Sequence, residues 1–87
     1  MARAREPVAE WIAANVRRLR DAHGWTQEDL AERAGVDVRT LQDLEAARHD
    51  ALEITVWAVA EALKARIGEL FLKARFRPAK PGRPRRK

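Results

Sequence analysis

The stretch Thr26–Glu45, TQEDLAERAGVDVRTLQDLE, decides the fold. Thr26 is a strong N-cap residue, and Asp29 three positions on can bond back to it, a capping box with Asp in place of Glu. Trp25 before the cap and Leu30 after it have the spacing of a hydrophobic staple. The helix that these signals open ends near Ala34, because Gly35 takes a positive φ at little cost. The device then repeats with Val36, Asp37 and Leu41. The result is two short helices joined by a tight turn. They cross steeply, so the residue at closest approach has to be small, and Ala31 supplies it. Leu41 and Leu44 turn inward and pin the second helix, while Val38, Arg39, Gln42 and Asp43 face outward.

Upstream of this pair, Pro7 suits the first turn of a helix. Apolar residues at 8, 11, 12, 16 and 19 draw a helical stripe over Val8 to about His23, with Trp11 on its core face. Gly24 fits the left-handed position that closes such a helix. Downstream, Asp50 with Glu53 can cap a fourth helix, whose stripe is Val56, Val59, Ala60 and Leu63. A short fifth helix is expected over roughly Arg66 to Lys73, burying Ile67, Leu70 and Phe71, with Gly68 as its weak point. Residues 1–6 read as a frayed basic arm. From Arg77 the sequence is RPAKPGRPRRK, whose three prolines, one glycine and six basic residues cannot build a core. The expected architecture is all-α: one compact five-helix domain over residues 8–73 and a basic Pro/Arg-rich tail over 74–87, disordered when free.

Eighty-seven residues leave room for one modest core. The net charge of +5 divides unevenly along them. Residues 73–87 hold eight Lys or Arg and no acid, whereas the other 72 hold ten basic and thirteen acidic residues, a balance of −3. The high pI therefore belongs to the tail, and any basic face on the body has to come from local placement. There is no Ser, Cys or Tyr, so no disulfide framework and no thiolate metal site. His23 and His49 fall at a helix end and in a loop, and no phosphate loop or metal-ligand spacing accompanies them. Neither an enzyme nor a cofactor is expected. No apolar run approaches the ~20 residues that span a bilayer, and the N-terminus lacks the apolar core of a secretory signal. A soluble intracellular protein is expected.

Taken together the residues resemble the Cro/cI-type (XRE-like) helix-turn-helix family of bacterial and phage regulators. The likeness spans about Ile12 to Phe71. It rests on Val16-Arg17-Arg18-Leu19-Arg20, Thr26-Gln27-Glu28-Asp29-Leu30-Ala31, Gly35-Val36, Leu41, Leu44-Glu45, and Val59-Ala60-Glu61-Ala62-Leu63. The resemblance implies a five-helix, lambda-repressor-like DNA-binding domain that binds double-stranded operator DNA as a two-fold homodimer in the cytoplasm, at the nucleoid. It also implies residue roles. Thr26 and Gln27 head the second helix on the DNA side, Gln27 touching a phosphate and bracing the recognition helix. Val38, Arg39 and Asp43 face base edges, and Gln42 reaches base or backbone. Thr40 and Arg48 meet phosphates. Arg20 and Glu45 form a structural ion pair. Three places depart from the family pattern: Ala47 for a glycine after the third helix, Ala51 for a proline, and Lys64 with Arg66 for a glycine and polar cap. A different ending is expected for the helices there.

The chemistry gives these positions meaning. Arg39 can donate twice to O6 and N7 of guanine, worth roughly 1–3 kcal/mol of discrimination. Val38 offers apolar contact to a thymine methyl. Asp43 can accept from cytosine N4, exclude wrong sequences, or orient Arg39 one helical turn away. Each has a plainer reading as a solvated surface residue, and the helix pair itself has one as an ordinary helical hairpin. Trp57 lies one position off the stripe of the fourth helix. It is either half-buried against a neighbour or a dimer contact shared with Leu70, Leu72 and Phe76. Pro81-Gly82-Arg83-Pro84-Arg85-Arg86-Lys87 resembles an AT-hook, with Arg83 and Arg85 in the minor groove of A·T-rich DNA. The same residues also read as an unspecific polybasic tail. Two further functions stay open beside a dimeric operator-binding repressor: an antitoxin-type protein that also binds a partner protein, and an architectural binder of A·T-rich DNA.

Overall fold

The computed structural model describes residues 8–48 and 53–77. They form five helices: α1 Val8–His23, α2 Gln27–Ala34, α3 Val38–Glu45, α4 Glu53–Leu63 and α5 Ile67–Leu70. The all-α expectation is met, and the first three helices begin and end where their caps place them. Asp50 (the expected cap of α4), His49 and Ala51 lie outside the described residues, as do the arm and the AT-hook-like segment.

The caps act as the sequence indicates. The Thr26 hydroxyl accepts from the Asp29 amide at 3.0 Å, and the Asp29 carboxylate accepts from the Thr26 amide at 2.9 Å. These bonds to the Thr26 backbone and then its hydroxyl hold the Asp29 carboxyl below its usual 3.8. The resulting stabilisation is complete above that pH and is lost as pH falls through the lowered value. Asp37 caps α3 by accepting from the Arg39 amide at 3.1 Å.

Helix endings follow one pattern four times. After α1, Gly24 has φ +73°, its amide reaches the Asp21 carbonyl and the Trp25 amide reaches Arg20. The same pair of bonds closes α2 around Gly35, α3 around Ala47 and α4 around Lys64. This is the Schellman arrangement, which occupies carbonyls that a helix end otherwise leaves without partners. Ala47 and Lys64 adopt φ of +55° and +60° to make it. The departures from glycine thus leave the endings unchanged. Arg66 heads α5 without a side-chain acceptor, and only half of a capping box forms, from the Arg66 amide to Glu69 at 3.0 Å.

The core gathers Ile12 and Val16 from α1, Leu30 and Ala31 from α2, Leu41 and Leu44 from α3, four residues of α4 and Leu70. The α4 set is the expected stripe Val56, Val59, Ala60 and Leu63. Each fully buried Leu or Val contributes about 1.5–3 kcal/mol by leaving water. α3 packs between α1 and α2, and α4 covers α2 and α1.

Three expectations need correction. α5 is one turn, not a helix to Lys73, and of its expected apolar residues only Leu70 is fully buried; Phe71 is exposed. Trp11 is half-buried and outside the core cluster. The inner face of α1 is instead completed by Ala13 and by Asn15, which is buried to 2% exposure. The Asn15 amide donates to the carbonyls of Leu70 at 3.0 Å and Leu72 at 2.8 Å. It thereby occupies the last carbonyl of α5 and one just beyond it.

Candidate nucleic-acid interface

The second helix of the pair, α3, is held from three sides. Leu41 and Leu44 anchor its inner face in the core. At its C-terminal end Glu45, 4% exposed, is gripped by Arg20 through Nε at 2.7 Å and Nη2 at 3.1 Å. Gln27 donates to the same carboxylate at 3.0 Å, and Arg20 also donates to the Trp25 carbonyl at 2.9 Å. Burial opposes the charge on Arg20. The hydrogen bonds and charge of Glu45, then the charges of Asp21 and Glu28, more than offset this and hold its pKa above the ordinary arginine value. One buried carboxylate therefore ties together α1, the start of α2 and the end of α3. The Arg20–Glu45 pair that the resemblance implied is formed, and Gln27 bonds to the same carboxylate.

With its inner face pinned, α3 presents Arg39, Thr40 and Gln42 to solvent. Two neighbours differ from expectation. Val38 does not face fully outward; it is half-buried and packs on the core, leaving only part of its side chain free. Asp43 pairs with Arg48 at 2.9 Å rather than with Arg39. Thr26 is exposed at the head of α2. A cleft of about 320 Å³ runs between Arg17, Arg20, Gln27, Gln42, Glu45 and Arg48. It holds three guanidinium groups and one carboxylate, already engaged by Arg20. Arg48 is likewise paired, with Asp43, which leaves Arg17 as the local excess of positive charge. Among the described residues no cluster of metal-ligating side chains occurs.

The possible dimer contacts separate. Trp57 and Leu72 are exposed, at 56% and 58%. Leu70 is fully buried and is a core residue, not a surface contact. Phe76 is half-buried beneath the Arg17 guanidinium, 5.8 Å from its ring centroid. A second groove of about 290 Å³ opens beside Trp57, walled by Ala60, Ala65 and Ile67.

Sequence reading missed three positions: Asn15, Arg17 and His23. Asn15 sits within the apolar stripe of α1, and a polar residue there is a recognisable sign of a buried hydrogen bond. Arg17 holds the chain after α5, donating to the Arg77 carbonyl and lying over the Phe76 ring. His23 Nε2 meets the Leu63 carbonyl at 3.0 Å, and its ring stacks on Trp25 at 4.1 Å, with the Arg33 guanidinium 4.3 Å from the Trp25 ring centroid. The hydrogen bond joins the C-terminal ends of α1 and α4, and the stack ties the end of α1 to α2.

An all-helical body with a pinned second helix and a free polar face defines a helix-turn-helix domain of the DNA-binding regulator class. The chain belongs to the helix-turn-helix family HTH_3, whose profile matches residues 16–70. It is similar to the restriction-modification controller protein C.AhdI from Aeromonas hydrophila, with 28% identity over 72% of this chain and 96% of that one and a TM-score of 0.69. A hypothetical transcription factor from Neisseria aligns at 27% identity over 83% and 85% of the two chains, TM-score 0.72. The clp gene regulator ClgR from C. glutamicum aligns at 28% over 72% and 82%, TM-score 0.67. No curated protein matches the sequence closely enough to count as a relative. No helix among the described residues is long and apolar enough to cross a membrane.

Proposed function

We propose that the protein is a cytoplasmic repressor that binds operator DNA as a homodimer, with α3 in the major groove. The observation that carries this reading is the exposed face of Arg39, Thr40 and Gln42 on a helix whose other side is locked by the core and by Glu45. A rigid helix with a free polar face fits a groove about 12 Å wide. Arg39 reads guanine, the exposed part of Val38 meets a thymine methyl, and Gln42 reaches a neighbouring base or the backbone. Thr26, Gln27 and Thr40 face phosphates. Asp43 holds Arg48 toward the same backbone, which replaces its expected service to Arg39. Arg83 and Arg85 enter the minor groove beside the site. Trp57 and its groove supply the two-fold contact, which sets half-sites about one helical turn apart.

The deciding experiment is selection of bound sequences from random DNA. A two-fold motif with a guanine in each half is expected, and Arg39→Ala should erase the preference at that base pair while unspecific binding persists. Its loss costs about 1–3 kcal/mol on the selected site. Equal weakening on every sequence would remove Arg39 from the reading set. Enrichment of A·T-rich DNA without a two-fold motif would favour the architectural reading instead.

A further inference from the structure

Arg17 is held differently from the other cations of the cleft beside α3. Arg20 is gripped by Glu45 and Arg48 by Asp43, so a carboxylate offsets each charge. Arg17 instead donates through Nη1 to the Arg77 carbonyl, and its guanidinium lies over the Phe76 ring. Both of those partners are uncharged, and among the described residues no carboxylate pairs with Arg17. The side chain is thus fixed at two points and keeps its full charge. A guanidinium has five N–H donors in one plane, of which the carbonyl occupies one. The chain that holds it is itself tied to α1 through Asn15, which donates to the Leu70 and Leu72 carbonyls and accepts from Arg18 at 3.2 Å. Arg17 and Arg20 are neighbours one turn apart on α1, which packs against α3. Both line the cleft with Gln27, Gln42 and Arg48.

We propose that Arg17 is a further DNA-contacting residue: it binds one backbone phosphate at the wall of this cleft, and Phe76 with the Arg77 carbonyl positions it for that contact. The occupant is a phosphodiester of duplex DNA because Gln42, on another wall of the cleft, belongs to the exposed face of α3. A duplex seated on that face brings its backbone to the cleft. Arginine suits the place and lysine does not. Its planar fork gives one donor to the carbonyl and others to phosphate oxygens, while its flat face rests on the ring. The side chain is ordered before DNA arrives, so binding forfeits little of its freedom. Such a contact carries no sequence information; it sets affinity and the register of α3 on the duplex. The proposal rests on the operator-binding reading.

The test uses the full chain with Arg17→Gln, Arg17→Lys and Phe76→Leu, and Arg17→Met as a second neutral variant should Arg17→Gln fail to fold. Affinity for the selected operator and for an unrelated duplex is measured across salt concentrations, with thermal melting of each variant alongside. The neutral variant should lower the salt slope by about one on both duplexes, so that its deficit is about 3.5-fold larger at 50 mM than at 200 mM salt. Arg17→Lys and Phe76→Leu keep the charge but not its placement; each should bind about threefold more weakly with most of the slope retained. The operator phosphates are then replaced one at a time by neutral methylphosphonates. One replacement should weaken the wild type and leave the neutral variant unaffected. An unchanged slope in that variant, with every methylphosphonate acting equally on both chains, would overturn the proposal and leave Arg17 a structural residue. Wild-type affinity in both Arg17→Lys and Phe76→Leu would overturn the positioning role. A wild-type chain with no sequence preference would instead defeat the operator-binding reading, while the slope on the unrelated duplex would still decide the Arg17 contact.

Discussion

At the scale of single residues, Ala47 and Lys64 carry strain that the other described residues avoid. A residue with a Cβ in the left-handed region costs roughly 1–2 kcal/mol relative to glycine. Glycine returns part of this through its greater freedom in the unfolded chain. The bonds from the Ala47 and Arg48 amides back to α3 hold the conformation regardless. Ala47→Gly should therefore raise stability by about 0.5–1 kcal/mol, seen as a higher urea midpoint at unchanged slope. A lowered midpoint would mean that Ala47 makes compensating contacts. The sequence marks these two positions as departures, but it cannot show that the departure is absorbed as strain. Hydrogen bonds closing four helix ends in one way outweigh the preference of one side chain.

Among the elements, α1 has the widest reach. Through Arg20 it sets the end of α3, through Asn15 it meets the end of α5, and through Arg17 it holds the chain at Arg77. Removing one member of a buried, hydrogen-bonded ion pair leaves a stranded charge. Arg20→Met should cost about 3–5 kcal/mol, while Arg20→Met with Glu45→Met should recover much of that loss. Chemical denaturation of the single and double variants measures it, and additive losses would show that the pair is not the unit. The helix pair was legible because its signals are local: Thr26, Asp29, Gly35 and Asp37 act within a few residues of themselves. The ion pair came only through family resemblance. Asn15 escaped because its partners are backbone carbonyls 55 and 57 positions away, and backbone atoms leave no trace in side-chain spacing. The length of α5 escaped for a related reason: Phe71 and Leu72 look apolar enough to continue a buried stripe, yet the chain turns away after Leu70.

For the molecule as a whole, the exposed apolar surface and the divided charge are the features that a single folded body does not account for. Trp57 is large, more than half exposed and beside an apolar groove. Trp57→Lys should leave melting of the monomer within about 0.5 kcal/mol, as surface changes do. If the proposed homodimer forms through this groove, sedimentation should show the variant as a single chain and the parent as a pair. A variant that still pairs would place the two-fold contact elsewhere. The candidate site was legible in outline but not in its pairings. Helix periodicity assigns inner and outer faces, so Leu41, Leu44, Arg39 and Gln42 fall where expected. It does not resolve the borderline positions Val38 and Asp43, whose surroundings depend on neighbouring elements.

The face that α3 turns to solvent is also largely separate from the core, Val38 alone bridging the two. Arg39, Thr40 and Gln42 are exposed, and none belongs to the buried cluster or to the Glu45 junction. Changes at such positions usually shift stability by less than about 0.5 kcal/mol. Under the proposed operator-binding function, a duplicated copy of this chain could thus acquire a new DNA address by drift at Arg39 and Gln42, while the ancestral fold is inherited intact.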